Sequence, residues 1–117
     1  MKKEELVQRQ VHISTLIRNI EQAVQGMDYE GFRMDEGVKE QVYEYLQELG
    51  EASKEVSETA DDPIEMDLYQ KLADFRNARY NQEAEIDHQF VWSIIVNDLP
   101  KMEMDIEEDI IDNEKPE

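Results

Sequence analysis

Hydrophobic residues recur at three- and four-residue steps along most of the chain, which is the spacing of one face of an α-helix. The first such segment runs from about residue 4 to residue 25, and Gly26 follows it as a natural helix end. Residues 27–32 are expected to form a connector, in which the Phe32 side chain is buried in the core beneath the loop. The buried face of the first helix is predicted to be Leu6, Ile13, Leu16, Ile17, Ile20 and Val24.

The clearest helical pattern follows Asp35, which is a candidate N-cap for a second helix. Gly50 interrupts this pattern at a cost of about 1 kcal/mol relative to alanine. The helix can tolerate that cost if another helix approaches closely at this position. The apolar positions of the second helix are Val38, Val42, Tyr45, Leu46, Leu49, Ala52 and Val56.

Two further helices are predicted in the second half of the chain. Asp61 and Asp62 form a capping turn, and Pro63 suits the first turn of the third helix, whose stripe contains Leu68, Leu72, Phe75 and Arg79. Asp87 is the candidate N-cap of the fourth helix, which carries Phe90, Val91, Ile94, Ile95 and Leu99. Pro100 should bend or split this helix, because proline lacks a backbone donor. Met102, Ile106 and Ile110 continue the helical spacing to about residue 112.

The pattern contains no strand-like alternation, no nucleotide-binding glycine loop and no internal repeat. It therefore predicts an all-α protein, an antiparallel four- to five-helix up-and-down bundle. Residues 1–112 are predicted to form a single domain, and residues 113–117 a short acidic tail.

The charge of the chain restricts its partners. Thirty acidic and 12 basic residues give a net charge of −18, which disfavours polyanions because each phosphate contact needs a lysine or arginine. The acidic cluster Glu107, Glu108, Asp109 and Asp112 lacks the layout of a calcium loop and is expected to be solvated. The absence of cysteine excludes disulfides and thiolate zinc sites, and we expect no metal and no cofactor. Without a membrane-spanning run or a signal peptide, a cytoplasmic location is expected.

The candidate chemistry lies between residues 72 and 92. Arg76 and Asn77 follow the apolar stripe of the third helix, so a cation and an amide lie beside the end of that helix and the start of the next at Asp87. Trp92 is expected to be a core residue rather than a platform for stacking nucleic-acid bases.

This region resembles the HepT-like toxin family, formerly a domain of unknown function, within the HEPN superfamily of helical ribonuclease-type domains. The family segment Arg-Asn-x-x-x-His-x-Tyr corresponds to residues 76–83, and Asp87, Trp92 and the Asn97-Asp98-Leu99-Pro100 segment follow in register. A second matching segment is Gly50-Glu51-Ala52, and the resemblance extends from about residue 13 to residue 106. Two positions depart from the family: its histidine is Asn81 here, and its tyrosine is Glu83.

The resemblance implies a homodimer in which the motif-bearing helices face each other across a shared groove lined by Arg76 and Asn81. In such a ribonuclease, a neutral imidazole accepts the proton of the ribose 2′-hydroxyl and a guanidinium stabilises the charge on the phosphate. A carboxamide at position 81 cannot accept that proton, and the loss of a general base costs roughly 100- to 10,000-fold in rate. A partner nucleotidyltransferase attaches AMP to the tyrosine of the resembled toxins, and Glu83 offers no phenol for this reaction.

Two hypotheses follow from these departures. The first is a degenerate HepT-like protein retained as a dimeric binding or regulatory module, with a cognate minimal nucleotidyltransferase as a possible partner. The second is an active metal-independent RNA endonuclease that uses Arg76 with a substitute base, for which His88 and His12 are the only histidines. RNA binding requires Lys71, Arg76 and Arg79 to form one positive cleft. Glu51 is predicted to pair with Arg76, either as a clamp at the cleft or as a structural buried ion pair.

Overall fold

The structure is a computed structural model, and it describes residues 3–57, 66–81 and 86–114. No β-strand occurs within these three stretches, so the predicted all-α class is confirmed. The capping turn and Pro63 predicted to open the third helix lie outside the described residues. The helical elements are α1 (Lys3–Ala23), α2 (Tyr29–Met34), α3 (Glu36–Ser57), α4 (Met66–Tyr80), α5 (His88–Ser93), a π-helical turn (Ile94–Asp98) and α6 (Leu99–Glu114).

The first helix buries the face that its sequence predicts. All six predicted positions are buried, and Ile13, Ile17 and Ile20 have no exposed surface. The chain then turns at Gly26, whose φ of 78° lies in the left-handed region that glycine adopts without a steric penalty. The predicted end of the first helix is thereby confirmed.

The prediction of a connector over residues 27–32 is wrong, because residues 29–34 form the short helix α2. The Asp28 carboxylate caps it by accepting a hydrogen bond from the Gly31 N–H at 2.8 Å. Phe32 is fully buried, as predicted, and its ring centroid lies 5.2 Å from that of Trp92. Trp92 is partly buried and packs against the core, so its predicted structural role is supported.

The N-cap Asp35 and the glycine Gly50 of α3 have the structural roles that the sequence predicts. Asp35 Oδ1 accepts a hydrogen bond from the Val38 N–H at 3.0 Å, which satisfies one of the unpaired donors of the first helical turn. Gly50 is buried at the contact with α4. A Cβ atom at position 50 would lie 3.4 Å from the Leu72 carbonyl oxygen and 3.7 Å from Leu72 Cβ. The close approach expected of a neighbouring helix is therefore present.

The fourth predicted helix is continuous from α5 to α6 but changes its winding before Pro100. The five residues Ile94–Asp98 form a π-helical turn, and the Leu99 N–H donates to the Ile94 carbonyl five residues earlier. This wider turn lies just before Pro100, which lacks a backbone hydrogen-bond donor. The helix therefore changes its winding over one turn and is not split into two. The predicted continuation beyond Pro100 is confirmed, since α6 extends to Glu114.

The long segments α1, α3, α4 and α5–α6 form the bundle, with α2 packed beside α3 and α5. Helix α1 lies between α3 and α6, and α4 packs on α3. The predicted bundle is therefore confirmed for the described residues. No helix in these residues is long and apolar enough to cross a membrane. The fully buried core side chains from the different helices include Ile13, Ile17, Phe32, Leu46, Leu49, Leu72, Phe75, Ile94, Leu99 and Ile106.

Candidate functional site

The C-terminal end of α4 carries the first half of the motif. The Asn81 N–H donates to the Asn77 carbonyl at 3.0 Å, so the α-helical hydrogen bonding extends one residue past Tyr80. Asn77 and Asn81 are both exposed. Arg76 lies five residues before Asn81, within the same last turn and a half, but its side chain lies outside the described residues. Its predicted partnership with Asn81 stays a prediction, and Glu83 is also not described.

Glu51 lies on α3 and is exposed. Its carboxylate therefore does not carry the desolvation cost on which a buried ion pair was predicted, and the buried form of the Arg76–Glu51 pair is wrong. The clamp at the cleft stays a prediction, since it depends on the Arg76 side chain.

Asp87 begins the second half of the motif as the N-cap of α5, as predicted. Its Oδ1 accepts hydrogen bonds from the Gln89 N–H at 2.9 Å and the Phe90 N–H at 3.2 Å. These two bonds satisfy unpaired donors of the first turn, which fixes where α5 begins. His88 is consequently held as the first residue of this helix.

His88 is held from the other side by Tyr43 of α3. The Tyr43 hydroxyl lies 2.6 Å from His88 Nδ1, and the two rings are nearly parallel, with an angle of 6° between their planes. Two arrangements satisfy this distance: the phenol donates to Nδ1, or a protonated Nδ1 donates to the phenol oxygen. In the second arrangement Nε2 is free of a proton in the neutral ring and has the lone pair of a base.

Burial is the main cause that raises the pKa of the Tyr43 phenol to about 12. The carboxylates of Glu36 and Glu40 raise it further, while Arg79 lowers it. The phenol therefore keeps its proton at neutral pH and serves as a hydrogen-bonding group, not as an anion. Tyr43 also contacts Phe75 of α4, with the ring centroids 5.6 Å apart.

The basic residues of α4 are directed towards different neighbours. Lys71 Nζ lies 2.9 Å from Asp98 Oδ2, on the side of the π-helical turn. Arg79 Nη2 lies 2.9 Å from Glu40 Oε1 of α3, and its guanidinium carbon is 5.7 Å from the centre of the Tyr43 ring. Lys71 and Arg79 therefore do not form the single positive cleft that RNA binding would require, because each is paired with a separate carboxylate.

A shallow groove lies at the start of α5. Its volume is about 470 Å³, and it is lined by Tyr29, Ile86, Asp87, His88 and Gln89. The groove brings an imidazole, a carboxylate and an amide to one surface.

The other charged groups do not extend this site. His12 is exposed, and its Nε2 lies 3.3 Å from Glu48 Oε1 of α3. Glu107 pairs with Arg18, and Asp109 accepts a hydrogen bond from the buried Gln10, so the acidic cluster is partly paired and not simply solvated. Among the residues that the structure describes, no three acidic or histidine side chains are placed to hold a metal ion.

Tyr43 is the residue that the sequence analysis missed. A signal for it exists, since Tyr43 lies seven residues, or about two helical turns, before Gly50. The two residues therefore share one face of α3, and that face contacts α4 at Phe75 and Leu72.

Comparison with known proteins gives one match. The sequence profile of a family described as ribonuclease HepT-like matches residues 13–108 of the chain, which is most of its length. Neither the curated proteins nor the solved structures include a match to this chain.

Proposed function

Because the chain belongs to the ribonuclease HepT-like family, we propose that it is a member with a degenerate active site that acts mainly as a dimeric binding or regulatory module. Membership of this family supports a ribonuclease-type helical domain like those of the family's toxins. The proposal concerns what this particular chain retains of that activity.

The pairing of the basic residues carries the proposal. An RNA phosphate would have to compete with Asp98 for Lys71 and with Glu40 for Arg79, in a chain whose net charge is −18. A phosphate contact releases counterions and gains affinity only where a cation is available to it. These ion pairs therefore favour a surface that binds RNA weakly.

The identity of residue 81 supports the same conclusion. A carboxamide does not ionise in the accessible pH range, so Asn81 can orient a phosphate or a water but cannot accept a proton from the ribose hydroxyl. Glu83, at the position of the family tyrosine, has no hydroxyl to which a nucleotidyltransferase could attach AMP. The position of the catalytic histidine and the position of the modified tyrosine are thus both changed. The two changes are consistent with each other, because a toxin that does not cut RNA needs no neutralising modification.

Dimerisation forms part of the proposal. The exposed amides Asn77 and Asn81 lie at the end of α4, where the two copies of a HepT-like dimer would share one groove. A nucleotidyltransferase remains the partner that the family suggests for such a module.

A second candidate function is an RNA endonuclease that uses His88 as its base and Arg76 as its cation. The observation in its favour is the 2.6 Å contact between Tyr43 and His88, which fixes an imidazole beside a groove at the motif. Orientation of a histidine by a second residue is the usual requirement for a positioned base.

Cleavage of single-stranded RNA and of transfer RNA in the presence of a metal chelator tests both candidates. We expect the natural chain to cleave poorly, and Asn81→His to raise the rate by roughly 100-fold or more, because a general base contributes about that much. Asn77→His is the matched control, since it places an imidazole on an exposed position one turn earlier in α4.

The same assay separates the two candidates. Metal-independent cleavage by the natural chain that is lost in Arg76→Ala would contradict the degenerate site. If that activity is also lost in His88→Gln but retained in His12→Gln, the second candidate is correct.

A further inference from the structure

Exposed hydrophobic side chains concentrate on one side of the bundle. In the described residues, five large hydrophobic side chains are exposed, and three of them lie on α1 and α6: Val11 at 46%, Met104 at 58% and Ile111 at 56%. Isolated exposed hydrophobic residues are ordinary, but a group on adjacent helices indicates an interaction surface. We refer to these three residues as the α1–α6 face.

The contacts between the two helices bring these residues to one side. Helices α1 and α6 run antiparallel, since Gln10 contacts Asp109 and Arg18 contacts Glu103. Val11 directly follows Gln10 and so lies at the level of Ile111, whereas Met104 lies at the level of Arg18.

The helical period gives the direction of these side chains. Val11 and Arg18 are seven residues apart, as are Met104 and Ile111, so each pair lies on one side of its helix. Arg18 reaches across to Glu103 and Glu107 of α6 on this outer side. The α1–α6 face therefore flanks a row of ion pairs, and it extends for about 10 Å along α6.

The charges around the face select the kind of partner. Residues 101–114 contain seven acidic residues and one cation, Lys101, which pairs with Asp105. Arg18 of α1 pairs with Glu103 and Glu107, so the acids still outnumber the cations around the face after these ion pairs. A symmetric contact between two copies would oppose these acids to themselves, and such like-charge contacts are destabilising. A cationic partner gains both the burial of the apolar residues and the attraction of the acids.

We infer that the α1–α6 face binds an amphipathic helix of another protein, with lysine or arginine residues beside its apolar stripe. Helices of this kind bind through apolar anchors at three- and four-residue spacing. The inference rests on the proposed binding function and names the surface and the chemistry of its partner. The face lies on α1 and α6, whereas the motif begins on α4.

A synthetic helix provides the probe. A leucine and lysine peptide of about 18 residues, with all leucines on one face, has the required pattern. We expect the full-length chain to bind it at physiological salt, and Met104→Glu to weaken binding by about tenfold or more, as expected for an anchor residue. Titration calorimetry measures both affinities, and circular dichroism verifies that the variants are folded.

The sign of the effect distinguishes a specific surface from general attraction. Met104→Glu adds a negative charge, so nonspecific attraction of the cationic peptide would leave binding unchanged or make it tighter. Met34→Glu is the matched control, because Met34 is 68% exposed on α2, away from the face, and we expect it to retain binding. Equal effects of the two substitutions would overturn the inference.

Two further results would also contradict it. If sedimentation shows that Met104→Glu converts a dimer to a monomer, the face is occupied by a second copy. If a glutamate-for-lysine version of the peptide binds as tightly, the acids do not select the partner. The failure of the proposed function is recognised separately, by RNA cleavage in the natural chain.

Discussion

At the scale of single residues, Glu21 has an environment that is unusual for a carboxyl group. Its Oε1 atom is buried and receives no hydrogen bond from a donor, and Glu103 of α6 lies beside it. Two carboxyl groups share a hydrogen bond only when one of them is protonated. A side-chain hydrogen bond between Glu21 and Glu103 is the largest cause that raises the pKa of Glu21 from 4.5 to about 7, and burial is the second. The positive charge of Arg18 opposes the rise.

The raised pKa predicts that stability falls as pH rises. Below pH 4.5 Glu21 is protonated in both the folded and the unfolded chain, whereas between 4.5 and about 7 only the folded chain keeps the proton. The stabilisation is lost as pH rises through this window. Relative to Glu21→Gln, which stays neutral, we expect the natural chain to lose on the order of 2 kcal/mol between these limits, since a tenfold change in proton affinity corresponds to about 1.4 kcal/mol and solvent screening reduces the total.

Urea denaturation at several pH values measures this difference. Glu108→Gln is the control, because Glu108 is an exposed glutamate of α6 and its loss should not change the pH profile. A constant difference in unfolding free energy between the natural chain and Glu21→Gln from pH 4.5 to 8 would contradict the shared proton.

Residues of the candidate site were predictable from the sequence where their hydrogen-bond partners are only two or three residues away along the chain. Asp35 and Asp87 were correctly assigned as N-caps because a cap bonds to N–H groups two or three residues away. The contact between Tyr43 and His88 joins residues 45 positions apart, and no spacing along one helix predicts it. The departures at positions 81 and 83 were visible directly, but the pairing of Lys71 and Arg79 required the packing of α4 against its neighbours.

At the scale of helices, Gly50 sets how closely α4 approaches α3. A single Cβ at this position would make ordinary contact with Leu72, so Gly50→Ala should be neutral or stabilising by up to about 1 kcal/mol through helix propensity. The branched side chain of Gly50→Val would displace the α4 backbone, and we expect a loss of about 1 to 3 kcal/mol in unfolding free energy. Chemical denaturation measures both values.

Gly37→Val is the matched control for this prediction, since Gly37 is exposed in the first turn of the same helix. A change there should alter the unfolding free energy by less than about 1 kcal/mol. Equal losses at positions 37 and 50 would show that the close approach of α4 is not what position 50 requires.

The helices themselves were predictable because a wide apolar stripe fixes both the element and its buried face. The first stripe, from Leu6 to Val24, was assigned without error. Short elements were not predictable in this way. Helix α2 has only six residues, too few for a period, and its cap at Asp28 was the one available signal. Pro100 indicated a disturbance of the fourth helix, but it did not reveal that a π-helical turn accommodates the missing donor.

At the scale of the whole molecule, the proposed dimer must bring together two chains of net charge −18. Their repulsion is long-ranged at low ionic strength and is screened as salt is added, because the Debye length falls from about 30 Å at 0.01 M to about 8 Å at 0.15 M. We therefore expect dimerisation to strengthen with salt. Sedimentation equilibrium at several salt concentrations measures the dissociation constant.

A pair of isosteric variants tests whether the end of α4 forms the shared groove. Asn77→Asp with Asn81→Asp adds two negative charges per chain at that end, and we expect the dissociation constant to rise by about tenfold or more through like-charge contacts. Gln22→Glu with Gln41→Glu adds the same charge at exposed positions of α1 and α3 and serves as the control. If both double variants weaken the dimer equally, net charge governs association and the groove at α4 does not. A chain that stays monomeric at high salt and high concentration would leave Asn81 without a partner copy, and the dimeric part of the proposed function would then be wrong.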